Sequence, residues 1–389
     1  MNFEFATAGR ILFGHGVLEQ VPTALAMWKI TTALLVTGRD PARADAFVAR
    51  LAAAGITTTP FPVAVEPTVE LAREGVRAVR EARAGAVLAF GGGSALDAGK
   101  AIAVLATNGG EPLDFLEVVG RGRPLAEAPL PFIAIPTTAG TGSEVTRNAV
   151  LAVPGAGVKA SLRSPSMLPR LAVVDPGLLA GLPRAVIASS GLDALSQVIE
   201  PFLSARANPL SDALAREGIR RSAGALGRAY ANGLGDDATA RDDLAVASVC
   251  GGLCLANAGL GAVHGFAAPA GGMLGAPHGA ICAALLPHVL AVNLRALRAR
   301  APEHRALPRF RELAALLTAR PEADVAPEDG LRFVENLCHT LETPGLAHHG
   351  LTRTDLPVLV SRAREASSMK GNPLTLTESE LTEIAERAL

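Results

Sequence analysis

The sequence predicts an α/β domain followed by an all-α domain, and three observations predict it. Up to about residue 182, short runs apolar on both faces alternate with amphipathic helical stretches, which implies a parallel sheet covered on both sides. From residue 183 onward almost everything has helical period, with no convincing strand. The 389 residues are 49% apolar and 19% charged, enough for two domains with their own cores. We therefore divide the chain into an α/β domain, 1–182, and a helical domain, 183–389.

Residues 2–14 alternate well enough for one or two strands ending in a glycine turn. Thr31–Thr37 reads as a buried strand, Pro41–Ala54 as an Ala-rich helix, and Ile56–Phe61 as a short strand. A charged surface helix follows at Glu70–Ala84, then the apolar strand Ala86–Phe90 and a helix over Ala95–Thr107. Phe132–Ile135 and Leu171–Val174 are two further buried strands. Turn clusters at Asn232–Asp237 and Thr318–Gly330 interrupt the helical half.

A net charge of −1 leaves no basic face for nucleic acid and no polybasic membrane anchor. The first ten residues lack the layout of a signal peptide, and the four cysteines read as reduced core residues. A cytoplasmic protein is expected. Lysine is scarce, only Lys29, Lys100, Lys159 and Lys370, so each survivor is informative in a chain whose ordinary cation is arginine.

Two loops follow strands in a way that suits phosphate. Gly91-Gly92-Gly93-Ser94 lies between a buried strand and a helix, where glycines admit a close backbone approach and free N–H groups face an anion. Ser94 is expected to cap that helix, with Asp97 three residues on completing an arrangement close to a capping box. Pro136–Thr146 (PTTAGTGSEVT) is the second loop, and the two together form a cleft for a dinucleotide at the carboxyl edge of the sheet. The first strand ends in Thr37-Gly38-Arg39, without the G-x-G-x-x-G that usually stands there.

Gly259–Val289 is apolar and glycine-rich yet carries His264, His278 and His288. Its prolines, glycines and histidines argue against a membrane span and for two buried helices joined by the Gly-Gly-Met-Leu-Gly-Ala-Pro turn. Imidazoles in an apolar setting need partners, and a divalent metal satisfies several at once. Each histidine taken singly also reads as one hydrogen-bonded to backbone. His288 reads as such a structural histidine.

With GGGSALDAGKAIA, PTTAGTGSEVT, GLDALSQVIE and HGFAAPAGGMLGAPHG in order, the chain resembles the iron-containing (group III) alcohol dehydrogenase family. The resemblance runs from Ile11-Leu12-Phe13-Gly14 to the closing Gly371-Asn372-Pro373. It implies a Rossmann-like dinucleotide domain followed by a helical metal domain, the dehydroquinate synthase-like fold, with the active site in the cleft. It also implies hydride transfer between NAD(H) or NADP(H) and a small alcohol, aldehyde or ketone, in an enzyme that works as a homodimer. Carried over by position, the metal ligands fall on Asp193, Gln197, His264 and His278, with His278 also taken as catalytic. The family's dinucleotide contacts fall on Gly92, Gly93, Ser94, Asp97, Thr137, Thr138, Thr141 and Ser143, and its cleft lysine, a cofactor and catalytic group, on Lys159. Gly38 and Arg39 stand where the family usually has an acidic residue for the adenosine ribose, so NADP(H) is expected to be accepted at least as well as NAD(H).

Two departures matter. Gln197 stands where the family usually has histidine, and Ala268 where a further histidine lies near the nicotinamide. Asp193, His264 and His278 still supply a three-ligand site, more suited to zinc than to iron, with Gln197 within hydrogen-bond reach of the open position. The departures keep alive a metal-independent reductase of the maleylacetate reductase kind. A dehydroquinate synthase-like lyase is the third reading, disfavoured by the scarcity of lysine. The pocket is expected to be small and apolar, suited to a short aldehyde.

Overall fold

A computed structural model describes residues 2–235 and 237–389. In the inner strands the runs of valine, leucine, isoleucine and alanine are buried on both faces, and the faces separate by the two-residue period of the pleat. Six strands make one all-parallel sheet: β1 (Ile11–Phe13), β2 (Thr32–Thr37), β3 (Thr57–Pro62), β4 (Ala86–Gly91), β5 (Phe132–Pro136) and, later in the chain, Leu171–Val174. Between β5 and that last strand lies an antiparallel hairpin, β6 (Asn148–Val153) and β7 (Val158–Arg163), so Leu171–Val174 is β8. The sheet order is β1-β8-β5-β4-β2-β3.

Alternation along the strands feeds two cores. Ala33, Leu35, Leu88, Phe90, Ile133 and Ile135 point into a cluster with Phe47 and Leu51. Leu34, Val36, Val87, Ala89, Phe132 and Ala134 point the other way, against Ile102, Leu96 and Val79. Each leucine buried this way contributes roughly 2 kcal/mol. The helix Gly93–Leu105 approaches the sheet closely: a Cβ at Gly99 would stand 2.8 Å from the Phe132 ring and 2.9 Å from Ala89 Cβ.

The hairpin was not foreseen. Its strands alternate correctly, with Ala149, Leu151, Ala160 and Leu162 packed against Ala101, Val104 and Leu105, but the alanines keep the apolar signal weak. At the N-terminus only Ile11–Phe13 is a strand. One strand of the one or two expected there thus forms, ending just before Gly14, and ahead of it Ala6 donates its N–H to Asn257 Oδ1 at 2.7 Å.

By its contacts the chain divides into two compact units. One comprises Thr7–Thr138 and Gly142–Leu179; the other comprises Ala180–Leu389 with Ala139–Thr141 and the residues through Ala6. Among the described residues the second unit is helical. Its first helix, Arg184–Leu203, packs against Pro209–Asn232, Ala238–Ala258 and His278–Arg300 through glycines. A Cβ at Gly191 would stand 2.3 Å from Leu226 Cδ1, one at Gly218 2.6 Å from Val198, and one at Gly251 3.1 Å from Gln197 Cβ. The expected helix pair is Ala262–Leu274 and His278–Arg300, and the joining turn is only Gly275-Ala276-Pro277, because the preceding glycines continue the helix. His278–Arg300 is long and apolar enough to cross a membrane, but 78% of its apolar window is buried inside the protein.

Candidate active site

Asp193 lies in the middle of the helix Arg184–Leu203, and Gln197 and Glu200 follow it at i+4 and i+7, so all three face one line. His264 lies in the first turn of Ala262–Leu274, and His278 opens the next helix. That opening is held against Asp193 by the absence of a side chain. A Cβ at Gly279 would stand 2.2 Å from the Ser189 carbonyl oxygen and 3.3 Å from Asp193 Cβ.

The donor atoms converge. Asp193 Oδ1 is 3.3 Å from His264 Nε2 and 3.8 Å from His278 Nε2. It is buried and completes no hydrogen bond, so its oxygen lies close to both rings without being tied to either. Cys282, one turn beyond His278, brings Sγ to 3.8 Å from His264 Nε2 and 3.6 Å from His278 Nε2. The ligating atoms of Asp193, His264, His278 and Cys282 all lie within 4.8 Å of one another. Gln197 Oε1 is buried and also lacks a partner, while its Nε2 donates to the Gly140 carbonyl at 3.4 Å.

Glu200 orients the set. Its Oε2 is 2.6 Å from His264 Nδ1, which fixes Nε2 towards Asp193, and its Oε1 accepts the Val263 N–H at 2.6 Å. The closing Gly371-Asn372-Pro373 supports the same turn. Asn372 Oδ1 accepts from Ala262 N at 3.2 Å, and a Cβ at Gly371 would stand 2.0 Å from the Leu260 carbonyl oxygen.

The electrostatics ask for a cation. Burial alone would push both imidazoles towards neutrality. Their interactions with Cys282 and Asp193 override it, with a hydrogen bond to Glu200 adding to the effect at His264. His264 is held well above the usual imidazole range, and His278 is pushed up to about 9. Burial raises Asp193, but the two histidines offset this and hold its carboxyl below the usual range. One carboxylate, two imidazoles and a thiol sulfur, buried together, are a donor set for a divalent transition metal.

In the α/β unit the ends of three adjacent strands meet. β4 ends in Gly91, with a Cβ there 2.6 Å from Ala95 Cβ and 3.2 Å from the Gly38 nitrogen at the end of β2. A Cβ at Gly92 would stand 3.2 Å from Thr138 Oγ1 at the end of β5. These glycines let the three loops close over a helix N-terminus, the geometry in which a pyrophosphate meets backbone N–H groups.

The family models decide the relationship. One for iron-containing alcohol dehydrogenase matches residues 8–176, and one for the C-terminal region of the Fe-containing alcohol dehydrogenase family matches residues 187–389. The chain belongs to the iron-containing alcohol dehydrogenase family. It is 35% identical over 382 residues to alcohol dehydrogenase 4 of Schizosaccharomyces pombe, which covers 97% of this chain and 87% of the relative. A crystal structure of 1,3-propanediol oxidoreductase superposes with a TM-score of 0.90 at 32% identity, over 100% of both chains. Sulfoacetaldehyde reductase from Bifidobacterium kashiwanohense, in complex with NAD+, gives 0.86 at 26% identity over 100% of this chain and 99% of that one. By family the chain is accordingly an oxidoreductase of the alcohol dehydrogenase kind.

Within this alcohol dehydrogenase the individual residues fall as follows. The helix Gly93–Leu105 is capped by Gly92, with no side-chain cap, so Ser94 and Asp97 form no capping box. Ser94 is at the second helical position, too far along to accept the terminal N–H groups. Asp97 is engaged instead by Ser143 Oγ at 2.6 Å and Val150 N at 2.9 Å, with Lys100 Nζ 3.7 Å away. Thr137 and Thr138 extend from β5, and Thr141 falls with the helical unit. Lys159 lies on β7 and pairs with Glu66 at 3.4 Å. Arg39 donates to the Ala64 carbonyl at 3.3 Å. His288 was expected to be hydrogen-bonded, but its buried Nδ1 has no partner and burial pushes the ring down to about 4.

Three residues were missed. Glu200 carried a signal, its i+7 spacing from Asp193. Cys282 carried another, its i+4 spacing from His278. Lys100 is fully buried and donates to the carbonyls of Ser143, Thr146 and Asn148 and to Thr146 Oγ1, pinning the second loop. Burial lowers its ammonium to about 8.

Proposed function

We propose that the chain exchanges a hydride between NADP(H) or NAD(H) and a short alcohol or aldehyde, with a divalent ion, zinc in preference to iron, held by Asp193, His264 and His278. The observation that carries this reading is the buried Asp193 oxygen that completes no hydrogen bond, 3.3 and 3.8 Å from two imidazole nitrogens. When bound, the ion polarises an alcohol or carbonyl oxygen, and the nicotinamide gives or takes the hydride. Glu200 keeps His264 in the tautomer that presents Nε2. Gln197, one turn after Asp193 on the same helix, has its Oε1 buried and without a partner, a further acceptor on that helix. His278, with 36% of its side-chain surface exposed, is the ligand on the open side.

For the dinucleotide, Gly92, Gly93 and Ser94 present backbone N–H groups, and Thr137, Thr138 and Ser143 line the neighbouring loop. Arg39 is the group that meets a ribose 2′-phosphate. The nearest carboxylate in sequence, Asp40, accepts the Ala42 N–H at 3.2 Å and caps the turn that follows, which supports acceptance of NADP(H). Lys159 contributes a cation to the cofactor, with Glu66 holding its ammonium. The family resemblance also supports a cytoplasmic homodimer.

Metal analysis of the protein as isolated, paired with His278→Ala, tests the proposal. The wild type is expected to carry one divalent ion per chain and the variant to lose both ion and rate. A metal-free wild type whose rate survives chelator would replace this reading with the metal-independent reductase.

A further inference from the structure

We infer that Cys282 is itself a ligand, so that the ion sits in a four-donor site of one carboxylate, two imidazoles and one thiolate. This inference rests on the metal reading above and adds to it a sulfur donor. A substrate oxygen would then enter as a fifth donor on the open His278 side, an expansion catalytic zinc allows. Three observations carry it. The first is distance. A tetrahedral zinc with Zn–S near 2.3 Å and Zn–N or Zn–O near 2.0–2.1 Å separates its donors by about 3.3–3.6 Å. The measured separations are 3.3 Å for Asp193 Oδ1 to His264 Nε2, 3.6 Å for Cys282 Sγ to His278 Nε2, and 3.8 Å for both Sγ to His264 Nε2 and Oδ1 to His278 Nε2. Two of these four separations already lie in that range, and the other two exceed it by only 0.2 Å.

The second is direction. Cys282 is fully buried, yet its sulfur points at the two imidazole edges rather than into the apolar side chains around it. The chain's other three cysteines are also buried and free, but they do not join the cluster. Helical spacing explains the difference: Cys282 is one turn after His278 on the same helix, so a donor pair reaches one point from one rigid element.

The third is charge. Asp193 is 1% exposed and His264 5% exposed, so an ion there is cut off from water on that side. Of the groups that would touch the ion, Asp193 alone balances only one of its two charges and Glu200 acts only through the His264 ring; a thiolate in direct contact balances the second. A sulfur donor also moves the preference from iron(II) towards zinc and cobalt(II). Gln197, a neutral amide beside the cluster, then serves as a hydrogen-bonding neighbour and not as the fourth ligand.

The test uses the whole protein loaded with cobalt(II) and, separately, with zinc. The cobalt protein is expected to show a thiolate-to-cobalt charge-transfer band in the near ultraviolet, and X-ray absorption of the zinc protein one sulfur near 2.3 Å. Cys282→Ser should abolish the band and weaken zinc binding at least about tenfold, since even groups behind the ligands are worth that much. Cobalt bound without the band, and zinc without sulfur in its first shell, would overturn the inference while leaving the three-ligand proposal standing. A wild type that takes up neither metal would overturn both. If Cys282→Ser does not fold, the wild-type spectra decide alone.

Discussion

Glu200 Oε2 stands 2.6 Å from His264 Nδ1, on a different helix and 64 positions earlier in the chain. The same carboxylate caps the first turn of the His264 helix through Val263 N. One buried side chain therefore sets both where that helix begins and which ring nitrogen it offers to a metal.

Glu200→Gln is expected to lower zinc affinity about 10–100-fold, because one amide oxygen cannot serve both Nδ1 and Val263 N. The lost buried hydrogen bond should also cost about 1–3 kcal/mol of stability. Competition with a chromophoric chelator, alongside a thermal melt, measures both. Unchanged affinity in a variant that melts lower would reduce Glu200 to a structural cap.

Gly279 tests how tightly the metal helices must meet. A methyl there would overlap the Ser189 carbonyl oxygen at 2.2 Å, which is backbone and cannot step aside alone. Gly279→Ala is expected to push the His278 helix away from Asp193, costing roughly 1–3 kcal/mol and separating the donors. Metal content should fall together with melting temperature. A variant with full metal content would show that the contact tolerates displacement.

Arg39 is the test of cofactor choice. Its guanidinium lies beside the end of β2, bonded only weakly to the Ala64 carbonyl at 3.3 Å, and Gly38 offers no carboxylate to repel a phosphate. Arg39→Ala is expected to raise KM for NADPH severalfold and leave that for NADH nearly unchanged. Steady-state kinetics with both cofactors decides it, and a strong NADH preference already present in the wild type would refute the reading.

The sheet was legible in the sequence because its inner strands β2, β4, β5 and β8 are apolar on both faces, a pattern few other structures demand. β6 and β7 were not, since alanine at the inward positions blurs a two-residue alternation that only packing on the helix Gly93–Leu105 makes decisive. The candidate metal cluster was half legible. Asp193, His264 and His278 came from motif order, and the structure brings them together. Glu200 and Cys282 were passed over because an acidic residue and a cysteine in apolar helices each have an ordinary explanation, and only the fold shows their side chains converging. Ser94 and Asp97 went wrong for a local reason: the helix begins two residues earlier than the serine requires, so the aspartate is released to hold Ser143 and Val150.

The loop that Asp97 holds also contains a titratable group with no part in the metal site. Glu144 is 2% exposed, and burial pushes its carboxyl up to about 7, with Lys100 pulling the other way. In the unfolded chain the same group ionises near 4.5. Between those two values the folded state keeps a proton that the unfolded state has released, so raising the pH favours unfolding across that window. The cost is absent below about pH 4.5 and complete above about pH 7, where it reaches up to about 3 kcal/mol at about 1.4 kcal/mol per pKa unit. Glu144→Gln keeps the shape and removes the charge. It is expected to raise the melting temperature at pH 8 and to leave it nearly unchanged at pH 4.5. Lys100 retains Asp97 and its four oxygen acceptors in the variant, so the gain should fall short of the full figure. Melting curves of both proteins across this range measure the difference. A gain that is equal at both pH values, or a loss at pH 8, would mean that Glu144 is ionised at neutral pH and that its attraction to Lys100 outweighs its burial.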